Sequence, residues 1–357
     1  MLKTWRNRRV FLTGHTGFKG SWLAIWLNQL GAKVRGYALD PCTEPNMFTL
    51  ATVGSLLEDC RGDIRDYATL ESSMTRFAPE VVFHMAAQPL VRRSYTDPVT
   101  TYETNVMGTV HVLEAIRRTP SVRAVVCITT DKVYHNREWV WPYRETDPLG
   151  GYDPYASSKA CSEIVSAAYQ SSFFPVERLH EHHVAMATAR AGNVIGGGDW
   201  SEDRLIPDLL RGFCSGKPVL IRKPDAIRPW QHVLDPLHGY LMLSERLLAA
   251  QGHCGSAYNF GPSHEDTWPV ERIADKFVAV WGAGASWKRD PNPGAHEANY
   301  LRLDASKARF ELGWQSRLNI AAALEWTIAW YSAWNRGENL AEFTAKQIAE
   351  YEKLSGQ

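Results

Sequence analysis

Thr130, Asp131 and Lys132 put a hydroxyl, a carboxylic acid and an amine in consecutive positions, and Tyr155 is followed at a spacing of four by Lys159. A carboxyl group can protonate a departing hydroxyl, a neutral amine can take a proton from carbon, and a phenol can take the proton of an alcohol as hydride leaves. Together these are the parts of an oxidation coupled to an elimination. Tyr155 and Lys159 would lie one helical turn apart on a shared face. An ammonium beside a phenol disfavours its neutral form, so the pair predicts an acidified Tyr155. The spacing alone is cheap, and an exposed i, i+4 pair is the ordinary alternative. A preceding strand that ends at Thr129 and a glycine turn near the N-terminus favour the catalytic reading. Lys132 accepts a carbon-bound proton only when neutral, which asks for a buried, desolvated side chain near another cation such as Lys159. If it stays charged, it would instead stabilise an enolate and position Asp131; a surface ion pair is the bland alternative.

Such groups need a rigid frame, and the first half of the chain alternates short apolar runs with helical patterns, as a parallel sheet covered by helices requires. Strands are predicted at Val10 to Thr13, Lys33 to Leu39, Val81 to Met85, Ala124 to Thr129 and Val184 to Arg190. The first runs into Gly14, Gly17 and Gly20 and then a helix, Ser21 to Leu30, which Gly31 stops. Backbone there can approach a pyrophosphate closely, and the helix start offers unpaired N–H groups. Asp40, at the end of the next strand, can accept hydrogen bonds from an adenosine ribose and would repel a 2′-phosphate, so NAD is favoured over NADP. Asp63, in Arg61-Gly62-Asp63-Ile64 after another strand, could approach the adenine amine. Ala86-Ala87-Gln88 ends the fourth strand with small residues across which the cofactor could lie. Asp97-Pro98 predicts a capped helix running to Ile116.

After Gly192 glycines and prolines punctuate shorter elements, which predicts a doubly wound α/β domain over 1–190 and a smaller substrate-binding lobe over 191–357. Within that lobe, residues 232–255 are expected to pack back on the first domain. Trp314, Trp326, Trp330 and Trp334 read as packing in a closing helical region. With 357 residues the chain can bury a large core, and Lys+Arg and Asp+Glu balance at 39 each, so no field of one sign favours nucleic acid or a membrane surface. Six scattered cysteines without a C-x-x-C pair fit reduced thiols in a cytoplasmic protein. His180, His182 and His183 cluster without a zinc-like frame, so no metal is expected.

The longer motifs go further. Thr13-Gly14-His15-Thr16-Gly17-Phe18-Lys19-Gly20-Ser21-Trp22-Leu23, Thr129 to Tyr134, Tyr155-Ala156-Ser157-Ser158-Lys159, Arg190 to Trp200, and Arg228-Pro229-Trp230-Gln231-His232 resemble the extended short-chain dehydrogenase/reductases. Within that family they are similar to the CDP-glucose 4,6-dehydratases, from the glycine turn through at least residue 262. The related dTDP-glucose enzymes usually carry glutamate where this chain has Lys132, which points to the cytidine branch. The resemblance implies NAD held by the glycine turn with Thr16, Phe18, Lys19, Ile64, Asn105 and Thr129 added to the residues above, and Tyr155 and Lys159 shared with catalysis. It implies that Gln88, Asn193, Arg204, Arg228 and Asn259 line a CDP-glucose substrate, with Asn193 near the glycosyl phosphate. It also implies a homodimer, or a larger homo-oligomer, through helices at about Thr101 to Ile116 and Tyr155 to Ser172, and a place early in deoxysugar synthesis for surface polysaccharide. A nucleotide-sugar 4-epimerase would share the cofactor turn and Tyr155/Lys159 but needs no Asp131-Lys132. Another 4,6-dehydratase would differ in its base, and a non-catalytic NAD-binding regulator would have no use for these side chains.

Overall fold

The structure, a computed structural model, describes residues 2–249, 256–282, 284–291 and 299–354. Seven strands form one parallel sheet: β1 (Arg9–Thr13), β2 (Lys33–Ala38), β3 (Glu58–Arg61), β4 (Val81–His84), β5 (Ala124–Ile128), β6 (Ala185–Ala191) and β10 (Ala257–Phe260). Between β6 and β10 lie β7 (Asn193–Ile195), β8 (Val219–Ile221) and β9 (Trp230–His232), and β11 (Trp287–Arg289) follows. The sheet order is β10-β6-β5-β4-β1-β2-β3, so the winding reverses between β1 and β4. A crevice opens there at the carboxyl ends of the strands, where such sheets hold ligands. β4 and β5 are buried at every position, which explains why they are apolar apart from the terminal His84.

All five predicted strands are present, with no end shifted by more than one residue. β3 escaped a defined range because its Glu-Asp-Cys-Arg sequence is that of an exposed edge, and β10 because four residues around a buried Asn259 carry no periodicity. The helix Phe18–Gln29 starts earlier than predicted, with Gly17 as its N-cap, and Gly31 stops it with φ 79°. Its Trp22, Leu23, Ile25, Trp26 and Leu27 are all buried, since it lies between the sheet and the closing helix Leu340–Lys353. Each such side chain stabilises the fold by roughly 1.5–3 kcal/mol. Trp26 Nε1 donates to Glu352 across that contact at 2.9 Å.

Asp97 caps its helix by accepting from the Thr100 N–H at 3.2 Å. The predicted single helix is interrupted by a π-helical turn, Glu103–Met107, before continuing as Gly108–Arg117. The helix Pro154–Phe173 is capped by Asp153 with proline in its first turn.

Beyond β6 the chain builds two small parallel pairs, β7 with β9 and β8 with β11. It then returns: the helix Leu234–Leu248 packs on β5 and β6, and β10 hydrogen-bonds to β6. Residues 250–255, including Cys254, lie outside the described residues. Trp314 and Trp330 are core side chains, and Trp326 and Trp334 pack against that core.

Candidate active site

β5 delivers its last residue, Ile128, to the crevice, and the chain then makes a single 3-10 turn, Asp131–Val133. Thr130 Oγ1 donates to Asp131 Oδ1 at 3.0 Å, and the other carboxylate oxygen, Oδ2, is buried without a hydrogen-bond partner. Such an atom is costly unless something completes it. The buried places of the turn go to Asp131 and Val133, so Lys132 faces outward, with a third of its side chain exposed (33%) and Nζ 3.8 Å from Asp131 Oδ1. Lys132 is therefore only partly buried, short of the full burial that a neutral amine asks for.

Tyr155 and Lys159 share the buried face of the helix Pro154–Phe173, beside that turn. Gly151 lets the chain leading into that helix fold back tightly on its first turn: a Cβ there would stand 2.0 Å from the Ser157 N. The Thr130 hydroxyl, which donates to Asp131, lies close enough to the Tyr155 phenol to favour its ionised form. Burial pushes that phenol up to about 12, against the opposing effects of Thr130 and of the Arg204 charge. This corrects the expected acidification by Lys159, whose Nζ instead donates to the Ile128 carbonyl at 3.1 Å. Lys159 is itself pushed down to about 8 by burial, against the opposing effects of Cys127 and Glu163.

Arg204 and Lys19 complete the cluster from outside the catalytic strand. Arg204 pairs with Asp199 at 2.9 Å. Lys19, in the first turn of Phe18–Gln29, donates to the Tyr240 hydroxyl at 3.0 Å, and burial, helped by the charges of Arg204 and Lys159, pushes it down to about 7. Cations thus outnumber carboxylates around the crevice, as a site for anions requires. Asn193 joins from β7, with Oδ1 buried and unpartnered. Gly192 lets its segment press on Pro229, whose Cγ would be 2.4 Å from a Cβ there. That contact brings Arg228, 9% exposed, alongside. Ala226, two residues earlier, helps wall a cavity of about 480 Å³ lined also by Arg222, Lys223, Asp225, Arg289 and Asn299.

The glycine turn is built to admit a dinucleotide. Gly14 has φ 78°, and a Cβ on it would stand 2.8 Å from Ala86 N; on Gly20 it would be 2.1 Å from the Gly14 oxygen. β1 and β4 therefore end in contact, tied by Thr13 Oγ1 accepting from Met85 N and Ala86 N. Gly17, the helix N-cap, brings no capping side chain, so the N–H groups at the helix start are left to a ligand. The Thr16 hydroxyl instead holds the Leu39 carbonyl at 2.9 Å. Asp40 lies two residues past the end of β2, with its side chain 88% exposed and 3.6 Å from Arg61. These residues fit NAD: a narrow backbone cradle, a free helix start and an accessible carboxylate beyond the second strand.

Other predicted contacts are engaged within the protein. The Asp63 carboxylate takes hydrogen bonds from Arg65, which hold it below the usual carboxylate range, and Ile64 packs against Gly108. The Gln88 amide binds Leu90 and Thr101, and Asn105 binds the Gln88 backbone and the Ser158 hydroxyl. The Thr129 hydroxyl turns to Glu163. Asn259 is fully buried, its amide joined to Tyr134, Tyr143 and Asp304, so the structure does not bring it into the cluster. Tyr240 and Glu163 escaped the sequence reading, and Arg190 and Asp199 stood inside the Arg190 to Trp200 motif without a role of their own; Glu163 gave a signal, one helical turn past Lys159. His182 ties its loop through the Pro175 carbonyl, and no metal-ligand group of three or more His, Cys, Asp or Glu occurs among the described residues.

Residues 10–261 match the NAD dependent epimerase/dehydratase family. The chain belongs to that family. Among curated relatives it is 52% identical over 347 residues, covering 97% of both chains, to the CDP-glucose 4,6-dehydratase of Salmonella typhimurium. It is 32% identical over 334 residues to the dTDP-glucose 4,6-dehydratase of Streptomyces antibioticus, covering 90% of this chain and 92% of that one. Among solved structures, DesIV of Streptomyces venezuelae, a dTDP-glucose 4,6-dehydratase with NAD bound, superposes with a TM-score of 0.76 at 26% identity, covering 92% of this chain and 98% of that one. The epimerase Mth375 of Methanothermobacter thermautotrophicus shares the fold, with a TM-score of 0.80 at 22% identity over 94% and 95% of the two chains.

Proposed function

We propose that the protein converts CDP-glucose into CDP-4-keto-6-deoxyglucose and water. Bound NAD supplies a site that takes hydride from C4 of the hexose and returns it to C6, ending each cycle unchanged. Tyr155 accepts the 4-hydroxyl proton, with the Thr130 hydroxyl and the Lys159 and Arg204 charges nearby. Because its own surroundings hold the phenol protonated, deprotonation must draw on further positive charge within the closed site.

The new ketone acidifies the C5–H. Lys132 is the nearest candidate base, or the cation that stabilises the enolate, and its outward placement favours the second role. Asp131 delivers a proton to the leaving 6-hydroxyl through Oδ2. That buried, unpartnered oxygen, set beside Tyr155 and Lys159, is the observation that carries the reading: a 4-epimerase has no water to expel. Arg204, Asn193 and Arg228 meet the diphosphate, and the mixed-charge cavity beside Arg228 is the surface on which we expect the nucleoside. The cytidine preference is supported by the extent of likeness to the Salmonella enzyme. Residues 1–190 supply most of the cofactor side, and 191–357 most of the substrate side.

The test is to incubate purified protein and NAD with CDP-, dTDP-, UDP- and GDP-glucose separately, following the alkali-induced absorbance of 4-keto-6-deoxy sugars and solvent deuterium at C5. Product from CDP-glucose with C5 labelling is expected. Absence of product from every sugar, or epimerisation without water loss, overturns the proposal.

Exposed Val99, Tyr102 and Met107 on one helical path and Ile164 and Phe173 on its neighbour support a homodimer through a four-helix contact. Light scattering after gel filtration would test it. No helix among the described residues is long and apolar enough to cross a membrane, and the thiols of Cys42, Cys60, Cys127, Cys161 and Cys214 are free, which supports a cytoplasmic setting.

A further inference from the structure

Glu163 lies on the Tyr155/Lys159 helix, one turn beyond Lys159, and is 4% exposed. Its carboxylate gathers donors from two neighbouring strand ends. Oε1 accepts from Thr129 Oγ1 and from Arg190 Nε at 3.0 Å; Oε2 accepts from Thr188 Oγ1 at 2.7 Å and from Arg190 Nη2 at 2.9 Å. Arg190, equally buried, extends the network: Nη1 donates to the Tyr134 hydroxyl at 2.9 Å, with the guanidinium over that ring, and Tyr134 donates to Asn259 Oδ1 at 2.7 Å.

Thr129 and Tyr134 are the residues that bracket the turn carrying Thr130, Asp131 and Lys132. Both ends of the acid-bearing turn are therefore fastened, one directly and one through Arg190, to a carboxylate on the helix that bears the phenol. A buried ion pair is a poor source of net stability, because desolvation offsets most of the attraction. Its geometric effect is definite. Breaking it would let the turn and the helix move relative to each other without removing any group that touches the hexose.

We propose that the Glu163–Arg190 pair is a positioning device that keeps Asp131 and Lys132 in register with Tyr155 and Lys159, so that C4 oxidation and C5/C6 elimination act on one bound sugar. The idea rests on the dehydratase reading above. If the wild type makes no product, that reading fails first; if it does, the variants below judge the positioning role alone.

The measurement is a single turnover of NAD-loaded enzyme with CDP-glucose, followed by the near-ultraviolet absorbance of reduced nicotinamide, with melting temperatures taken alongside. In Glu163→Gln the signal should form within about tenfold of the wild-type rate but decay about a hundredfold more slowly, since a displacement of about 1 Å can cost that much. Two milder variants keep the buried charges. Thr129→Val removes the hydrogen bond that fastens the catalytic turn and should prolong the signal several-fold, whereas Thr188→Val removes a like bond from the same carboxylate, on a strand that does not lead into the turn, and should leave it as in the wild type. Equal signals from the two threonine variants, or formation and decay slowed in the same proportion in Glu163→Gln, would overturn the proposal.

Discussion

The two halves of the site are built in different ways. Tyr155 and Lys159 stand on a capped helix of 20 residues, with their spacing set by helical geometry and their surroundings closed by the core. Asp131 and Lys132 stand on a single 3-10 turn of three residues, whose flanking Thr129 and Tyr134 are held by the distant Glu163, Arg190 and Asn259. Local geometry protects the first half; only tertiary contacts protect the second. The oxidising half should therefore fail all at once when its groups are changed, and the eliminating half should fail by stages.

Tyr155→Phe should have the largest effect. With no proton acceptor at the 4-hydroxyl, turnover should fall by about 10³–10⁴-fold with no reduced nicotinamide appearing on mixing with substrate. Asp131→Asn should come next, lowering product formation by about 10²–10³-fold while still allowing C4 oxidation, so reduced nicotinamide accumulates instead of vanishing. If Asp131→Asn also abolished that first signal, the division into two halves would be wrong. Lys132→Met sharpens the same comparison: exchange of the C5 proton with solvent should slow markedly, and full dehydration by this variant would remove Lys132 from the chemistry.

The cofactor cradle contributes a pH effect. Lys19, at about 7 in the protein, lies at the helix start where a pyrophosphate would bind. An anion there favours the ammonium, so binding takes up a proton. NAD affinity should be greatest below pH 7 and fall as the pH rises through it, by up to about tenfold per unit. Calorimetric titration at several pH values would show this, and Lys19→Arg, permanently charged, should flatten the profile.

The smallest effect lies away from the chemistry. Asp235 is fully buried and accepts from Tyr351, Ser316 and the Arg317 N–H, yet burial pushes it up to about 6. Folding favours its protonated form, so its contribution is best below pH 3.8, is lost as the pH rises through about 6, and becomes a cost above that. Asp235→Asn should raise the melting temperature at pH 8 by roughly 2–4 °C and lose that advantage near pH 4.

The helix-borne half was the legible one. The parallel sheet, the glycine turn, the caps at Asp97 and the pairing of Tyr155 with Lys159 follow from spacings within a few residues. What escaped depended on distance. Nothing near Lys132 announces that a 3-10 turn would bury its neighbours and leave it a third exposed. Nothing near Lys159 announces that its ammonium would go to the Ile128 carbonyl and leave the phenol to the effect of burial. Asn259 matched a family pattern, but β10 carries its side chain into the interior, where three partners absorb it. Lys19 was expected as a cofactor contact through the family resemblance; its meeting with Tyr240, far along the chain, could not be read from either residue.

The pairing of β10 with β6 bears on how the molecule is made. During synthesis β6 leaves the ribosome well before Ala257–Phe260, so its outer N–H and C=O groups wait, open, for a partner that does not yet exist. Any fragment that stops short of residue 260 carries that raw edge, to which a second nascent chain can add its own strand. Production at low temperature or with a supplied chaperone should rescue full-length yield far more than that of such a fragment, because only the complete chain can cover the gap with its own later residues.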